Sequence, residues 1–331
     1  MVQRRMSGPY SIEVCAGAGG QALGLEQAGF EHLDLVEIDE WACKTLRVNR
    51  PQWRVSECDL RNFKASKYKG IDLYAGGLPC PPFSVAGKQL GENDERNLFS
   101  VAIDQVAQCK PKAVLIENVR GLLDPSFASY REWIVASLRK QGFDFVDWKL
   151  HNACDFGVCQ QRPRLILVAL KGGCAEEFCW PAHARTVQTV GNLLKDLMAE
   201  NGWEGAGAWH RKANAIAPTI VGGSKKHGGP DLGPTRARKA WAQLGVDGIG
   251  IANEAPDAVF PLDGMPKLTV RMVARIQGFP DSWQFSGRKT NSYRQVGNAF
   301  PPPVAAAVGQ QIARALGVAS TARENLSKRA A

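Results

Sequence analysis

The stretch SIEVCAGAGG, residues 11–20, joins a short apolar strand pattern to a glycine-rich turn, and a helical pattern follows it as far as Gly29. Glycines between a strand and a helix let the backbone approach a ligand closely and point its amide groups at it. The turn does not match the G-x-G-x-x-G dinucleotide fingerprint, because position 22 is alanine. It therefore predicts either a ligand-binding loop or an ordinary connection between a strand and a helix.

Similar units follow along the first half of the chain. Apolar strand patterns occupy residues 11–15, 32–36, 72–75, 112–116 and 164–170, and helical patterns occupy residues 40–49, 99–109 and 130–141. Strands that alternate with helices predict an α/β fold with a doubly wound, mostly parallel sheet covered on both faces. After about residue 180 the alternation stops, which predicts a second, smaller and irregular domain. Helical patterns return at residues 269–277 and 303–316, and residues 319–331 are expected to form a flexible tail.

The composition is that of a globular protein in a reducing compartment. The chain has 331 residues, 44% of them hydrophobic and 22% charged, and no apolar run reaches membrane-spanning length. The basic N-terminus lacks the apolar core of a signal peptide, so we expect a cytoplasmic protein whose nine cysteines are reduced thiols. Cys154, Cys159, Cys174 and Cys179 have the spacing of a four-thiolate zinc set, but the strand at residues 164–170 would hold the two pairs apart. We therefore expect no metal.

The positive charge is concentrated in one segment. The formal net charge is +9, and between residues 206 and 240 seven lysines and arginines stand against a single acidic residue, Asp231. The basic residues are Arg211, Lys212, Lys225, Lys226, Arg236, Arg238 and Lys239. A basic, glycine-rich segment is suited to close approach to a phosphate backbone. A solvated surface loop is the alternative interpretation.

A thiol framed by prolines follows the strand pattern at residues 72–75. The sequence GGLPCPPFS, residues 76–84, places Cys80 between Pro79 and Pro81. Prolines fix φ and remove backbone donors, so this loop is stiff and cannot join a sheet or a helix. A stiff loop at the carboxyl end of a parallel strand can hold a thiol toward the cleft in which open α/β sheets bind ligands. Cys80 is therefore predicted to be a nucleophile.

Charged side chains mark the ends of other predicted strands. Glu37 ends the second strand pattern, where an acid in such folds bonds ribose hydroxyls, and Asp59 follows the next short strand. Together with the glycine turn, these acids favour an adenosine-containing cofactor. Glu117 follows a buried strand pattern at the same sheet edge as the framed thiol. Arg162 and Arg164 lie two residues apart, so on a strand they would share one face and require anionic or carbonyl partners.

Five motifs, taken in order, carry a resemblance to a known family. They are Gly17-Ala18-Gly19-Gly20, Pro79-Cys80, Glu117-Asn118-Val119, Gln160-Gln161-Arg162-Pro163-Arg164 and Gln295-Val296-Gly297-Asn298. In this order and spacing they resemble the DNA (cytosine-5) methyltransferases. The resemblance implies the S-adenosylmethionine-dependent methyltransferase fold, with a catalytic domain over residues 1–180 and a target-recognition domain over residues 181–285. Residues 286–318 would return to the catalytic domain.

The resemblance also implies S-adenosyl-L-methionine as the cofactor. The residues expected to contact it are Cys15, Ala16, Gly17, Gly19, Gly20, Glu37, Ile38, Asp59, Leu60, Pro79, Leu98, Asn298 and Ala299. Many relatives carry an aromatic residue at the position of Cys15, where it stacks on adenine. Cysteine stacks poorly, so we expect Ile38 or another apolar group to provide more of the adenine contact.

The implied chemistry assigns catalytic roles to four residues. Cys80 would add to carbon 6 of cytosine, which enables carbon 5 to attack the methyl group of the cofactor. Glu117 would hold the ring at N3 and at the exocyclic amine. Arg162 and Arg164 would bind the base carbonyl and the adjacent phosphate, and would favour the ionised form of the thiol. Because the ring is attacked from its face, the target base would have to leave the stack.

Duplex DNA is the partner that the resemblance implies. The residues expected to contact it are Ser84, Lys88, Arg211, Thr219, Lys225, Lys226, Arg236 and Arg238. Pro81 stands where relatives more often carry glutamine, so either one side-chain contact to the flipped nucleotide is missing or the loop is stiffer. We expect a monomer on DNA, without an obligate protein partner, of the bacterial restriction–modification kind.

Three other functions are compatible with parts of the sequence. The same fold could methylate cytosine in RNA, but the long basic segment favours duplex DNA and the Cys-Phe-Thr signature of the tRNA-directed branch is absent. A non-catalytic DNA-binding regulator would have no use for a framed thiol. A methyltransferase acting on exocyclic amines would need an Asp/Asn-Pro-Pro-aromatic loop in place of the residues around Cys80.

Overall fold

The computed structural model describes residues 8–79, 98–183, 186–222 and 230–317. Its strands are β1 Tyr10–Val14, β2 Glu31–Glu37, β3 Val55–Glu57, β4 Leu73–Gly77, β5 Ala113–Val119, β6 Phe145–Asn152 and β7 Pro163–Leu170. Within the described residues they form one seven-stranded sheet in the order β3-β2-β1-β4-β5-β7-β6. Strands β1 to β5 run parallel, and β7 is antiparallel to both β5 and β6. The predicted mostly parallel sheet is confirmed.

Helices cover both faces of this sheet. In the described ranges they are α1 Gly20–Gln27, α2 Glu40–Asn49, α3 Leu98–Cys109, α4 Ala128–Lys140, α5 Cys174–Glu177, α6 Val190–Ala199, α7 Ala206–Lys212, α8 Thr235–Gln243, α9 Val270–Ile276, α10 Lys289–Asn298 and α11 Pro302–Ala315. Leu25 of α1 and Val308 of α11 share a core with Leu73 on one face of β4. Phe99 of α3 and Ile134 of α4 belong to the core on the opposite face.

The contact between α1 and α11 brings two helices that are far apart in sequence side by side. A Cβ atom at Gly24 would lie 2.4 Å from the carbonyl oxygen of Pro302 and 2.5 Å from Cβ of Ala305. Only glycine at this position allows the two helices to pack so closely. Residues near 300 are thereby held next to the glycine turn that follows β1.

The hydrophobic patterns of the sequence do not reveal β6 or α10, and each case has a physical reason. β6 pairs with β7 at the sheet edge, and most of its residues are partly exposed, so it lacks an alternating apolar pattern. α10 buries Ser292, Tyr293 and Gln295 rather than a stripe of aliphatic residues, so helical periodicity of hydrophobic residues is weak there.

The region expected to be irregular contains the short helices α6, α7 and α8. Its scattered tryptophans are buried: Trp203, Trp209 and Trp241 are at most 4% exposed and belong to one core cluster. The same cluster includes Leu46 of α2 and Trp283, so this region packs directly against the sheet domain. Within the ranges described, no helix combines the length and apolar character needed to cross a membrane.

Candidate active site

The glycine turn after β1 is held in an unusual backbone conformation. Cys15, Gly17 and Gly19 have φ angles of 52°, 54° and 85°, and the amide of Gly19 donates to the carbonyl oxygen of Ala16 at 3.0 Å. Left-handed φ values favour glycine, so the non-glycine residue Cys15 is the strained member of the turn. The chain therefore bends sharply between the carboxyl end of β1 and the first residue of α1, and the turn faces a cleft.

Glu37 organises this turn from the end of β2. Its carboxylate accepts hydrogen bonds from the amides of Gly17, Ile38 and Asp39, each at 2.8 Å. Three amide donors hold the two carboxylate oxygens in place and leave lone pairs for further donors. Asp59, after β3, accepts from the backbone amide and the guanidinium of Arg61, and these bonds lower the pKa of Asp59. Both predicted acids are thus ordered acceptors at the same sheet edge.

A cavity of about 940 Å³ opens at the carboxyl ends of β1, β2, β4 and β5. This volume lies within the usual range for small-molecule sites. Of the thirteen residues expected to contact the cofactor, the twelve that line it are Cys15, Ala16, Gly17, Gly20, Glu37, Ile38, Asp59, Leu60, Pro79, Leu98, Asn298 and Ala299. The remaining one, Gly19, lies behind the wall, where a Cβ atom would meet Leu46 at 2.7 Å and Trp283 at 3.0 Å.

A buried ion pair lies in the wall of the same cavity. Nε of Arg164 lies 2.6 Å from Oε1 of Glu117, and the two side chains are only 12% and 11% exposed. Glu117 pairs with Gly77 across β4 and β5, three residues before Cys80. Burial raises the pKa of Glu117, and this effect outweighs the opposite influence of Arg164 and Arg162. The carboxyl can therefore take up a proton more readily than an exposed glutamate.

Asn118 supports the ends of these two strands. Its Nδ2 donates to the carbonyl oxygen of Leu78 at 2.8 Å, and its Oδ1 accepts from the amide of Val119. The bond to Leu78 ties the chain that leaves β4 to the end of β5. The segment that leads into the Pro79-Cys80 motif is thereby held beside Glu117.

Arg162 occupies a different environment from the one expected. It is fully buried, and its terminal nitrogens donate to the carbonyl oxygens of Ile220 at 2.7 Å, Gly297 at 2.7 Å and Ala299 at 3.0 Å. Arg162 and Arg164 were expected to contact base and phosphate together. In the structure the Arg164 side chain pairs with Glu117, whereas Arg162 joins three segments that are remote in sequence. Alternation along a strand predicts a shared face, but it does not predict distant carbonyl partners.

The residues expected to contact DNA are distributed over two locations. Thr219 lines the cavity, and its hydroxyl donates to the carbonyl oxygen of Gln161. Arg211 on α7 and Arg236 on α8 are exposed, and Arg238 is half-buried. The other expected residues, namely Ser84, Lys88, Lys225 and Lys226, lie outside the described residues, as do Cys80 and residues 319–331.

Sequence reasoning missed several residues that complete the site. Nε1 of Trp283 donates to the carbonyl oxygen of Ala18 at 3.1 Å, so a residue from the end of the region after 181 supports the glycine turn. Gly222 and Gly297 lie in direct backbone contact, since a Cβ atom at Gly297 would be 2.4 Å from Cα of Gly222. The abundant glycines and tryptophans of this region were visible in the sequence, but their partners were not.

The cysteines considered for zinc lie in different settings. Cys154 and Cys159 are buried, Cys174 is partly exposed and Cys179 is exposed. Over the described ranges, no group of three or more His, Cys, Asp or Glu side chains is placed so that it could hold a metal ion.

The sheet order and the cavity at its carboxyl edge define the S-adenosylmethionine-dependent methyltransferase fold. Solved structures share it: the Schizosaccharomyces pombe Dnmt2 methyltransferase matches with a TM-score of 0.63 at 16% identity, over 93% of this chain and 98% of its own. The Entamoeba histolytica methyltransferase EhMeth matches with a TM-score of 0.64 at 16% identity, over 93% of this chain and 99% of its own.

Sequence comparison then identifies the family. The family model for C-5 cytosine-specific DNA methylases matches residues 10–314. The type II methyltransferase M.NaeI of Lentzea aerocolonigenes is 53% identical over 95% of this chain and 76% of its own. The type II methyltransferase M.NgoMIV of Neisseria gonorrhoeae is 54% identical over 92% of this chain and 97% of its own. The chain therefore belongs to the C-5 cytosine-specific DNA methylase family and is a DNA (cytosine-5) methyltransferase, as its motifs predicted.

Proposed function

We propose that this chain transfers a methyl group from S-adenosyl-L-methionine to carbon 5 of a flipped-out cytosine in a specific duplex DNA sequence. We further propose that it serves as the modification enzyme of a restriction–modification system. The observation that carries this proposal is the buried Glu117–Arg164 pair in the wall of the cavity. It supplies a carboxyl group and a guanidinium that can recognise the polar edge of a pyrimidine beside the segment leading to Cys80.

The cavity is suited to the proposed cofactor at its β2 and β3 end. The Glu37 carboxylate, held by three amides, would accept hydrogen bonds from ribose hydroxyls. Ile38 is 66% exposed and Leu60 is buried, and both line the cavity, so they would contact the apolar faces of adenine. Asp59 would accept from the adenine amine. When bound, S-adenosylmethionine supplies an electrophilic methyl group on a positively charged sulfur.

The chain's own residues would then activate the base. The thiolate of Cys80 would form a bond to carbon 6, and the electron pair displaced from the C5–C6 double bond would make carbon 5 nucleophilic. Glu117, with its raised pKa, would hold a proton near N3 and accept from the exocyclic amine, while Arg164 keeps its carboxyl group in place. After carbon 5 has gained the methyl group, loss of its proton and departure of the thiolate would restore the aromatic ring.

DNA would approach the cavity from the side of the region after residue 186. Thr219 and Ile220 line the cavity, and the exposed arginines of α7 and α8 belong to the same region. Unstacking a base costs a few kcal/mol. Contacts to the phosphates, and to the space that the flipped-out base leaves in the duplex, would offset this cost. We expect the protein to act as a monomer on DNA, in the cytoplasm and associated with the nucleoid through its substrate.

Bisulfite sequencing of DNA from cells that express the chain tests this proposal. We expect complete protection of one cytosine within a single short recognition sequence, and no protection in cells that express Cys80→Ser. Absence of sequence-specific 5-methylcytosine with the wild-type protein would overturn the proposal. Incubation of the purified protein with labelled cofactor and either duplex DNA or tRNA distinguishes a DNA methyltransferase from an RNA methyltransferase. Label in tRNA alone would contradict DNA as the substrate.

A further inference from the structure

A short segment of the region after residue 186 is bound to the sheet domain through its main chain. This segment is residues 217–222, which we call the strap. The amide of Ala217 donates to the carbonyl oxygen of Cys159 at 3.1 Å, and the carbonyl oxygen of Ala217 accepts from the amide of Gln161 at 2.8 Å. The start of the strap therefore runs parallel to the chain that leads into β7.

Buried side chains of the sheet domain bind the next peptide groups of the strap. Oε1 of Gln160 accepts from the amide of Ile220 at 2.9 Å, and Arg162 donates to the carbonyl oxygen of Ile220 at 2.7 Å. Gln160 and Arg162 are both fully buried. Both main-chain polar groups of Ile220 are therefore bound to side chains that precede or begin β7.

Tyr293 of α10 holds the end of the strap. Its side chain is buried, and its hydroxyl oxygen lies 3.0 Å from the carbonyl oxygen of Val221 and 2.7 Å from that of Asp231. A hydroxyl has one hydrogen, so the two carbonyl groups share it. Burial, together with the nearby Asp231, raises the pKa of Tyr293, so the hydroxyl keeps this hydrogen. Two positions that are ten residues apart in sequence thus meet at one side chain.

The strap forms part of the cavity wall on the side of the proposed pyrimidine pocket. Thr219 and Val221 both line the cavity. The hydroxyl of Thr219 donates to the carbonyl oxygen of Gln161, three residues before Arg164, which pairs with Glu117. The strap therefore lies near the end of β7 that faces β5, and β2 with the proposed adenosine site is on the other side of β1.

Positive charge flanks the strap in the sequence. Seven basic residues stand against one acidic residue between positions 206 and 240, and they lie both before and after the strap. Val221, within the strap, is 43% exposed. A polyanion attracted to these charges would lie across the strap, beside the mouth of the cavity.

We propose that Tyr293 is a positioning residue for DNA, because its hydroxyl fixes the strap beside the pyrimidine pocket in the orientation that the duplex binds. Without this hydroxyl the strap would move more freely, and ordering it would weaken binding of the duplex. Glu117 and Arg164 would keep their geometry, since they bond to each other. This inference rests on the proposed function, since it assumes that duplex DNA is the substrate.

The test removes the hydroxyl and retains the ring. In Tyr293→Phe, we expect the KM for a duplex that carries the sequence identified by bisulfite sequencing to rise by about fivefold or more, as is typical of one lost hydrogen bond. The kcat at saturating duplex and the calorimetric affinity for S-adenosylhomocysteine should each change by less than about twofold. A loss of stability alone would not separate these three quantities.

Tyr74→Phe is the matched control. Tyr74 is fully buried, and its hydroxyl donates to Oε1 of Gln105 at 2.9 Å, so this variant also loses one buried hydroxyl bond. Tyr74 is not among the described residues that line the cavity. We expect the two variants to lower the melting temperature by similar amounts, while Tyr74→Phe keeps the wild-type KM for the duplex.

Hydrogen exchange of the full chain, followed by mass spectrometry, measures the strap itself. The amides of residues 217–222 should exchange about fivefold faster in Tyr293→Phe than in the wild-type protein, because a lost hydrogen bond favours local opening. Tyr74→Phe should leave the exchange of these amides unchanged.

Three results would overturn the inference. A wild-type KM for the duplex in Tyr293→Phe would show that the hydroxyl does not position DNA. An equal rise of this KM in Tyr74→Phe would show a general effect of lost stability. Unchanged exchange of the strap, even with a raised KM, would show that Tyr293 does not act by fixing the strap. If the wild-type chain methylates no duplex, the proposed function itself fails, whereas normal wild-type methylation with an unaffected Tyr293→Phe leaves the proposed function intact.

Discussion

Replacement of Gly297 by alanine should disturb both the stability and the activity of the protein. Gly297 lies in α10 with its backbone against Gly222, and the added Cβ atom would lie 2.4 Å from Cα and 2.5 Å from the amide nitrogen of Gly222. Ordinary contacts begin near 3.4 Å, so the two backbone segments must separate by roughly 1 Å. The atoms in conflict belong to the main chain, which a side-chain rotation cannot relieve.

The magnitude follows from the contacts that this separation disturbs. Overpacking of a core site costs about 1–3 kcal/mol. Movement of residue 297 also strains the 2.7 Å bond from Arg162 to the carbonyl oxygen of Gly297. A hydrogen bond to a charged group contributes about 1.5–3 kcal/mol, so partial loss brings the total destabilisation to about 2–4 kcal/mol. Because Ile220 and Asn298 line the cavity beside this junction, a displacement near 1 Å should reduce methyl transfer by about 100-fold.

Urea unfolding followed by tryptophan fluorescence and transfer of labelled methyl groups to DNA measure these two effects. Gly207→Ala is the matched control, because a Cβ atom added at this position in α7 would meet nothing within 4 Å apart from its chain neighbours and the backbone of its own helix. The control should retain activity and gain up to about 1 kcal/mol of stability from the better helix propensity of alanine. The reasoning is refuted if Gly297→Ala unfolds at the wild-type urea concentration and methylates DNA within about twofold of the wild-type rate.

Three further changes have defined outcomes. Glu117→Gln should lower kcat by about 100-fold or more, while the affinity for S-adenosylhomocysteine stays unchanged in calorimetry. An equal loss of kcat and of this affinity would contradict a catalytic role. Burial lowers the pKa of His151 from 6.5 to about 4. As the pH decreases from 6.5 to about 4, the unfolded chain therefore binds a proton before the folded chain does. The free energy of unfolding should fall by about 3 kcal/mol over this pH range. His151→Phe should reduce this acid sensitivity of the melting temperature; an identical pH profile would argue against it. Trp283→Phe removes the bond to Ala18 and should destabilise the protein by about 1 kcal/mol more, in urea unfolding, than the control Trp209→Phe. Nε1 of Trp209 is buried without a hydrogen-bond partner in the described structure, so this control removes the same ring atoms but no bond. Equal losses from the two variants would contradict a stabilising role for the bond to Ala18.

The sequence predicted best those features that depend on local pattern. The strand before Ala16, the glycine turn and the acid at Glu37 lie within 27 residues of each other, and each has a local conformational reason that is visible in the amino-acid types. Their convergence on one cavity follows from the parallel arrangement of the strands, because carboxyl ends of parallel strands meet at one edge. The family resemblance supplied the chemistry.

The features that escaped prediction depend on contacts between distant residues. Arg162 bonds to carbonyl groups at positions 220, 297 and 299, and no periodicity in the sequence relates these positions to each other. α10 was missed because it buries polar residues whose partners lie elsewhere, such as Gln295, which accepts from the hydroxyl of Thr45. Tertiary contacts, not local propensity, determine these parts of the structure.

Covalent trapping of the target base tests the central claim most directly. A fluorine atom at carbon 5 cannot be removed as a proton, so a duplex with 5-fluorocytosine at the target position should retain the bond between Cys80 and carbon 6 after methyl transfer. With S-adenosylmethionine present, the wild-type protein should give a denaturation-resistant complex whose cross-linked peptide contains Cys80, and Cys80→Ser should give none. A wild-type protein that methylates the ordinary duplex but forms no such complex, or a complex attached to another residue, would contradict the account.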